Sequence, residues 1–379
     1  MLTTTINYKA DETNVKICGR TVYRDGIRYI GYSGSGIEFI IEGSAARVML
    51  VTDDSVRPSF HKANIGVYAW EVDENNNITR QLDLGGEFKD KRIVVTEEKK
   101  LYTLVKCDEK KRLLIKIMKY SEPEYAICGI KEIVTDSEVM IPAPSKAHRI
   151  EFIGDSITCG YGVDGNLQLM EHRTEDENPC KSYSLTTVRA FDADVNVVAW
   201  NGKGIISGYI GDELEKKDES WLMPMLYKYT DGGLFRDYFK EDKATWEKWD
   251  FSKYSPELII IYLGTNDCSY TRSMESRNDE FCEGYVNFLK YVRSKNQAAK
   301  ILCIFGTMDD RLNDTTVKAV NAYKNETGDN EIYYKELPHQ LEEDGYGTFW
   351  HPTPVSHKKA AEVVIKEVEE IMGWERVDS

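Results

Sequence analysis

Apolar residues fall on alternate positions from about Tyr29 to Asp136, and beyond about residue 140 they no longer do so. Successive side chains of a strand point to opposite faces, so alternation of this kind marks strands with one buried face. The pieces GIEFIIEG, ARVMLVTD, IGVYAWEVD, RIVVTEE, LYTLVKCD and LLIKIMKY all carry the pattern, separated by turn-rich segments such as DENNN and DLGG. With hardly a helical stripe between them, they predict an antiparallel, jelly-roll-like β-sandwich over residues 1–140. Pro142 and Pro144 in VMIPAPSKAHR impose an extended connection, which places the domain boundary there. At 379 residues the chain is long enough for two domains, each with its own core.

Over residues 141–379 strands alternate with helices. IEFIG, VNVVAW, ELIIIYLG and KILCIFG read as buried strands, whereas SYSLTTVRAFDA and EFCEGYVNFLKYVRSK read as helices. The closing segment VSHKKAAEVVIKEVEEIMG carries an apolar stripe at Val355, Ala360, Val363, Val364 and Val368. Apolar strands joined by amphipathic helices predict a parallel sheet covered on both faces, a three-layer α/β/α domain. In such a sheet ligands bind beyond the carboxyl ends of the strands. The polar, Trp-rich stretch from Tyr209 to Lys253 reads as an insertion near that face.

The balance of 49 Lys and Arg against 64 Asp and Glu gives a net charge of −15, which repels phosphate backbones and anionic membranes and argues against nucleic acid as a partner. The stretch MLTTTINYKADETNV has no basic segment followed by an apolar one, and no later run is as long as a membrane span, so a cytoplasmic protein is expected. Eight cysteines without metal-binding spacing are expected as free thiols of a reducing compartment.

Three strand ends carry the chemistry. In RIEFIGDSITCGYG the first strand of the second domain breaks at Gly154, and Ser156 is delivered at its carboxyl end. A helix starting there would aim free N–H groups at developing negative charge, although Ser after Gly-Asp is also an ordinary helix cap. VNVVAW runs into NGKGI, where Gly204, or alternatively Gly202, can present a backbone N–H without a side chain in the way. ELIIIYL ends in GTND, and the neutral amide of Asn266 can donate to an oxyanion as an Asp could not. Near the end of the chain His351 stands between Trp350 and Pro352, just before the last helix, a stiff setting for a base serving Ser156. His357 is the rival base and reads as a surface or capping residue; His61, His148, His172 and His339 have no comparable setting.

Taken together and in this order, GDSIT, NGKGI, GTND and WHPTPVSH resemble the SGNH (GDSL) hydrolase superfamily. With a preceding β-sandwich and the segment KSYSLTTVRAFDADVNVVAWNGKGI, the chain is similar to carbohydrate esterase family 2, whose members remove acetyl groups from plant polysaccharides. The resemblance spans about Tyr29 to Gly373. It implies Ser156 as nucleophile, His351 as base, and an oxyanion hole formed by the Ser156 N–H, a glycine N–H of NGKGI and Asn266, with no metal or organic cofactor. The expected substrates are acetylated manno- or xylo-oligosaccharides, with Trp350 either a stacking platform for a sugar ring or a packing residue. In one respect the chain departs from the superfamily pattern: Thr348 stands three residues before the histidine, where an Asp is usual. The imidazole must then be oriented by a backbone carbonyl, by a more distant carboxylate such as Asp344, or by nothing. Asp155 is expected to hold its loop through hydrogen bonds. Two other readings remain: another ester hydrolase, lipase or thioesterase, and a non-catalytic carbohydrate-binding protein.

Overall fold

The computed structural model describes residues 5–53, 61–125, 127–167 and 171–377. It divides into two compact units, Met1–Ser145 with Asp231–Trp246, and Lys146–Thr230 with Glu247–Ser379.

The first unit is an antiparallel β-sandwich. Its strands run in the order Thr21–Arg24, Ile27–Ile30, Cys128–Thr135, Gly36–Val51, Lys99–Lys119, Ala63–Val72, Ile78–Gln81. Two of these strands, of 16 and 21 residues, each span what the sequence reads as two short ones. The reason is local. Between Gly43 and Ala45 the pairing register shifts, so the chain makes a bulge and continues where a turn was expected. The Asp136 carboxylate pins that bulge, accepting the N–H groups of Ser44 at 2.9 Å and Ala45 at 3.1 Å and the Ser44 hydroxyl at 2.7 Å. Gly43 leaves the space for it, since a Cβ there would lie 2.6 Å from Asp136 Oδ1. Bulged strands bend, and the curled sheet encloses a core that includes Phe39, Val48, Ile65, Ile115 and Ile130.

The stretch from Tyr209 to Lys253 is not one insertion, because its middle part, Asp231–Trp246, belongs to the sandwich unit. Asp231 sits over Gly31, where a Cβ would be 1.6 Å from Oδ2. The Arg24 guanidinium lies 4.1 Å from the Phe239 ring centroid and pairs with Glu241 at 2.6 Å.

The second unit is a three-layer α/β/α domain. Five parallel strands run in the order Asp194–Ala199, Arg149–Gly154, Leu258–Tyr262, Lys300–Phe305, Ile332–Glu336. Helix Tyr183–Ala190 packs against Pro354–Met372, and helix Glu275–Lys295 against Asn313–Thr327. Leu258–Tyr262 is buried along its whole length, which is why it reads as an unbroken apolar run. Helix Asn313–Thr327 and strand Ile332–Glu336 escape the sequence reading. The helix buries Thr315 and Thr316 alongside few apolar residues, and the strand, at the sheet edge, is only partly covered. Among the described residues no helix is long and apolar enough to cross a membrane. None of the eight cysteines, all among the described residues, is in a disulfide.

Strand Arg149–Gly154 has its chain successor Asp194–Ala199 on one side and Leu258–Tyr262 on the other. The strand order therefore reverses at its carboxyl end, the place where doubly wound sheets open a crevice. The four-residue helix Ser156–Cys159 begins there, capped by the Asp155 carboxylate and closed by Gly160 at φ 75°. A Cβ on Gly160 would stand 2.5 Å from the Asn178 carbonyl oxygen, a backbone atom that cannot swing aside. Gly160→Ala combines this clash with a left-handed backbone and is expected to lower the unfolding free energy by about 2–3 kcal/mol, read from denaturant midpoints.

Candidate active site

The nucleophile loop is assembled from buried polar groups. Asp155 Oδ1 accepts the Ile157 N–H at 3.0 Å, which fixes the first turn and leaves Ser156, 4% exposed, at the head of the short helix. Asp155 thus holds its loop. Burial raises its carboxyl to about 7, with the charge of Asp267 pushing the same way and the Ile157 N–H opposing.

The glycines after the serine make room for a second loop. Thr348 donates its N–H to the Gly162 carbonyl at 3.1 Å. A Cβ on Gly162 would meet Thr348 Cβ at 2.8 Å, and one on Gly165 would meet its hydroxyl at 1.9 Å. Seated against these glycines, the loop carries His351 to Ser156, and His351 Nε2 lies 2.8 Å from Ser156 Oγ although 195 residues separate them.

The other face of the imidazole ring edge meets main chain. His351 Nδ1 lies 3.0 Å from the Thr348 carbonyl and 3.1 Å from that of Phe349. Both carbonyls accept from an Nδ1–H, which fixes the tautomer and leaves Nε2 as acceptor for the serine hydroxyl. Phe349 and Trp350 adopt φ of 50° and 63°, a left-handed backbone that bulky residues avoid, and this turn aims the carbonyls inward. Asp344 is engaged elsewhere, paired with Lys359 at 2.7 Å. Of the alternatives open in sequence, backbone carbonyls are the ones that contact the imidazole. Burial lowers His351 to about 4, partly offset by those two carbonyls, so at neutral pH the ring is an uncharged base.

Asn266 joins two loops. Its amide donates to the Lys203 carbonyl at 3.1 Å, and its nearest other acceptor is Asp155 Oδ2 at a long 3.4 Å. The next residue, Asp267, was not singled out in sequence, yet it shapes the site. Its carboxylate accepts the N–H groups of Ile205 at 2.9 Å, Ile206 at 2.8 Å and Ser207 at 3.0 Å, fastening the loop that holds Gly202 and Gly204. A Cβ on Gly204 would lie 2.4 Å from Asp267 Oδ2, whereas Gly202, at φ 73°, has open space beside it. Among the described residues neither the Gly202 nor the Gly204 N–H finds an acceptor. The signal available in sequence was an acidic residue next to Asn266 in GTND, just past a buried apolar strand; nothing there says which amides it takes.

Trp350 is 58% exposed beside His351, its ring 5.0 Å from that of Tyr346. His357 is no surface residue: it is fully buried in the last helix, and its Nδ1 accepts the Tyr183 N–H at 3.3 Å, capping helix Tyr183–Ala190. Among the histidines set aside in sequence, His148 stacks on Trp374, and His339 Nδ1 lies 3.1 Å from the Gly306 carbonyl. His172 does approach the site, stacked on Tyr161, which also packs on His351.

The arrangement can activate a hydroxyl without a carboxylate. Because His351 is held neutral down to about pH 4, the acid limb of kcat/KM should fall near pH 4 and not near 6.5. The same depressed value means that stability is lost as pH falls from 6.5 toward 4, where the unfolded chain binds the proton that the folded one refuses. Asp267→Ala leaves three buried N–H groups without acceptors at about 1–3 kcal/mol each, so a loss of roughly 3 kcal/mol or more in denaturant unfolding is expected.

Residues 150–364 match the model of the GDSL-like lipase/acylhydrolase family. Cellulase/esterase CelE of Acetivibrio thermocellus is 33% identical over 242 residues, 62% of this chain and 27% of that protein. An acetylxylan esterase/glucomannan deacetylase of Cellvibrio japonicus is 28% identical over 265 residues, 69% of this chain and 67% of that one. The chain thus spans about a quarter of the first relative and two thirds of the second. Among solved structures, a family two carbohydrate esterase from Clostridium thermocellum in complex with cellohexaose superposes with a TM-score of 0.76 at 26% identity, covering 95% of this chain and 99% of that one. An acetyl xylan esterase from Butyrivibrio proteoclasticus, at 22% identity and a TM-score of 0.82, covers 99% of this chain and 100% of that one and shares the fold.

Proposed function

Since the chain belongs to the GDSL-like lipase/acylhydrolase family, we propose that it is a serine esterase that removes O-acetyl groups from plant-derived manno- or xylo-oligosaccharides. The observation that carries this reading is the 2.8 Å approach of His351 Nε2 to Ser156 Oγ, with Nδ1 turned to two carbonyls. Ser156 Oγ attacks the acetyl carbonyl carbon as its proton passes to His351 Nε2. The resulting imidazolium keeps its Nδ1–H on the carbonyls of Thr348 and Phe349. The Ser156 N–H, the Gly204 or Gly202 N–H and the Asn266 amide receive the oxyanion; to do so Asn266 gives up its long contact with Asp155. As the tetrahedral intermediate collapses, the C–O bond to the sugar breaks and His351 returns the proton to the sugar oxygen. Water, deprotonated by the same imidazole, then adds to the acetyl-serine carbonyl, and as the bond to Ser156 Oγ breaks His351 returns the proton to that oxygen and acetate is released.

Acetylated sugars as substrates rest on the acetylxylan esterase and glucomannan deacetylase named among the relatives and on Trp350, an exposed indole beside the base that suits the apolar face of a pyranose. The acidic surface suits neutral glycans better than polyphosphates. Eight cysteines outside disulfides fit a reducing compartment, and the cytoplasm is the proposed location. Lys146–Thr230 with Glu247–Ser379 is the proposed catalytic domain, and Met1–Ser145 with Asp231–Trp246 its accessory sandwich.

Ser156→Ala should abolish acetate release from acetylated glucomannan and xylan fragments, followed by NMR to resolve the positions cleaved. Asn266→Ala should lower kcat by about 10²–10³. Turnover of long-chain esters exceeding that of acetyl sugars would assign a lipase-type activity instead, and oligosaccharide binding without any turnover would assign a binding protein.

A further inference from the structure

Between the nucleophile and helix Tyr183–Ala190 the chain places three buried side chains, Tyr161, His172 and Glu177, that the mechanism above leaves unused. His172 Nε2 lies 2.8 Å from Glu177 Oε1. The His172 ring stacks on Tyr161 with centroids 4.0 Å apart and planes 12° from parallel. Tyr161 in turn packs on His351, centroids 4.4 Å apart at 41°. All four side chains are buried. The line Glu177, His172, Tyr161, His351 ends on Ser156.

The base lacks the carboxylate that ordinarily steadies an imidazolium. Two carbonyl dipoles meet Nδ1, but they hold only one edge of the ring, and rotation or tilt about that edge would carry Nε2 away from Ser156 Oγ. The Tyr161 ring, packed on the imidazole at a tilt of 41°, restricts that freedom. The face of a phenol ring is also the negative end of its quadrupole, so it attracts a cation formed against it. We propose that Tyr161, itself seated by the His172–Glu177 pair, is a positioning residue that holds the His351 ring for proton transfer and stabilises it when charged, taking over work that a triad carboxylate does elsewhere. The proposal rests on the reading of Ser156 and His351 as the catalytic pair.

Two backbone features support the assignment. The Tyr161 N–H donates to the Ser156 carbonyl at 3.0 Å, so the ring is tied to the residue whose hydroxyl must meet the imidazole. Gly160, at φ 75°, and Gly162, at φ 62°, flank it, which lets the chain turn on both sides and present the ring between two histidines.

The test uses the full chain with 4-nitrophenyl acetate, a substrate too small to reach outlying contacts. Tyr161→Phe keeps the ring and should hold kcat within about threefold of the parent. Tyr161→Leu should lower kcat about 10- to 100-fold, KM changing less than threefold. His172→Gln should lower kcat about 3- to 10-fold with an unchanged thermal midpoint. In a His351→Ala background, Tyr161→Leu should have no further effect on the residual rate, because its action passes through the imidazole. Retention of parent kcat by Tyr161→Leu, or by His172→Gln should the leucine variant not fold, would overturn the proposal, as would an undiminished Tyr161→Leu effect without His351. Ser156→Ala keeps these outcomes separate: its full activity would overturn the esterase reading itself, whatever the Tyr161 variants do.

Discussion

A single hydrogen bond, 2.8 Å from Ser156 Oγ to His351 Nε2, is what the second unit is built to hold. Both partners are nearly dry, Ser156 at the head of a four-residue helix and His351 on a loop. A neutral imidazole is a useful base only if its lone pair stays on the hydroxyl. The strained turn at Phe349 and Trp350 meets that requirement by converging two carbonyls on Nδ1. The cost of left-handed backbone at two aromatic residues, about 1–3 kcal/mol each, is borne by a domain whose sheet and helices are otherwise regular.

Around that bond the same economy recurs. Small residues create contact where side chains would forbid it: Gly162 and Gly165 admit Thr348, and Gly204 admits Asp267. Buried carboxyls fasten loops through backbone amides, Asp155 at the nucleophile and Asp267 across three consecutive N–H groups of the facing loop. Asn266 lies between these two acids in the chain fold and ties the loops together. The rigidity of the site therefore comes from loop-to-loop hydrogen bonds in a water-poor environment, where each bond is stronger than it would be at the surface.

Much of the architecture could be read directly. Alternation with period two before residue 140, and apolar strands separated by amphipathic stripes after it, depend only on which faces are buried, and burial is written in residue type. Leu258–Tyr262 shows this at its plainest, being buried throughout and apolar throughout. Helix Asn313–Thr327 shows the converse: its inward face mixes Thr315 and Thr316, the latter bonded to the Leu312 carbonyl, with only Ala319, Val320 and Tyr323, so the apolar stripe is short and interrupted by polar residues. The bulge at Gly43 and Ala45 was likewise silent, because a glycine and a serine there signal a turn as readily as a bent strand, and the choice was made by Asp136, distant in sequence.

The sequence by itself determined the order of the fully buried strands, the break after each of them, and the residue types presented at those breaks, because each follows from local backbone preference and side-chain polarity. Only the tertiary structure decided what orients His351, since a carbonyl belongs to every residue and its direction depends on φ and ψ. It also decided which histidines are buried near the site: His357 caps a neighbouring helix and His172 stacks against Tyr161. It moved Asp231–Trp246 from the hydrolase unit to the sandwich as well. These outcomes depend on contacts between groups far apart along the chain, and composition and spacing carry no record of such distances.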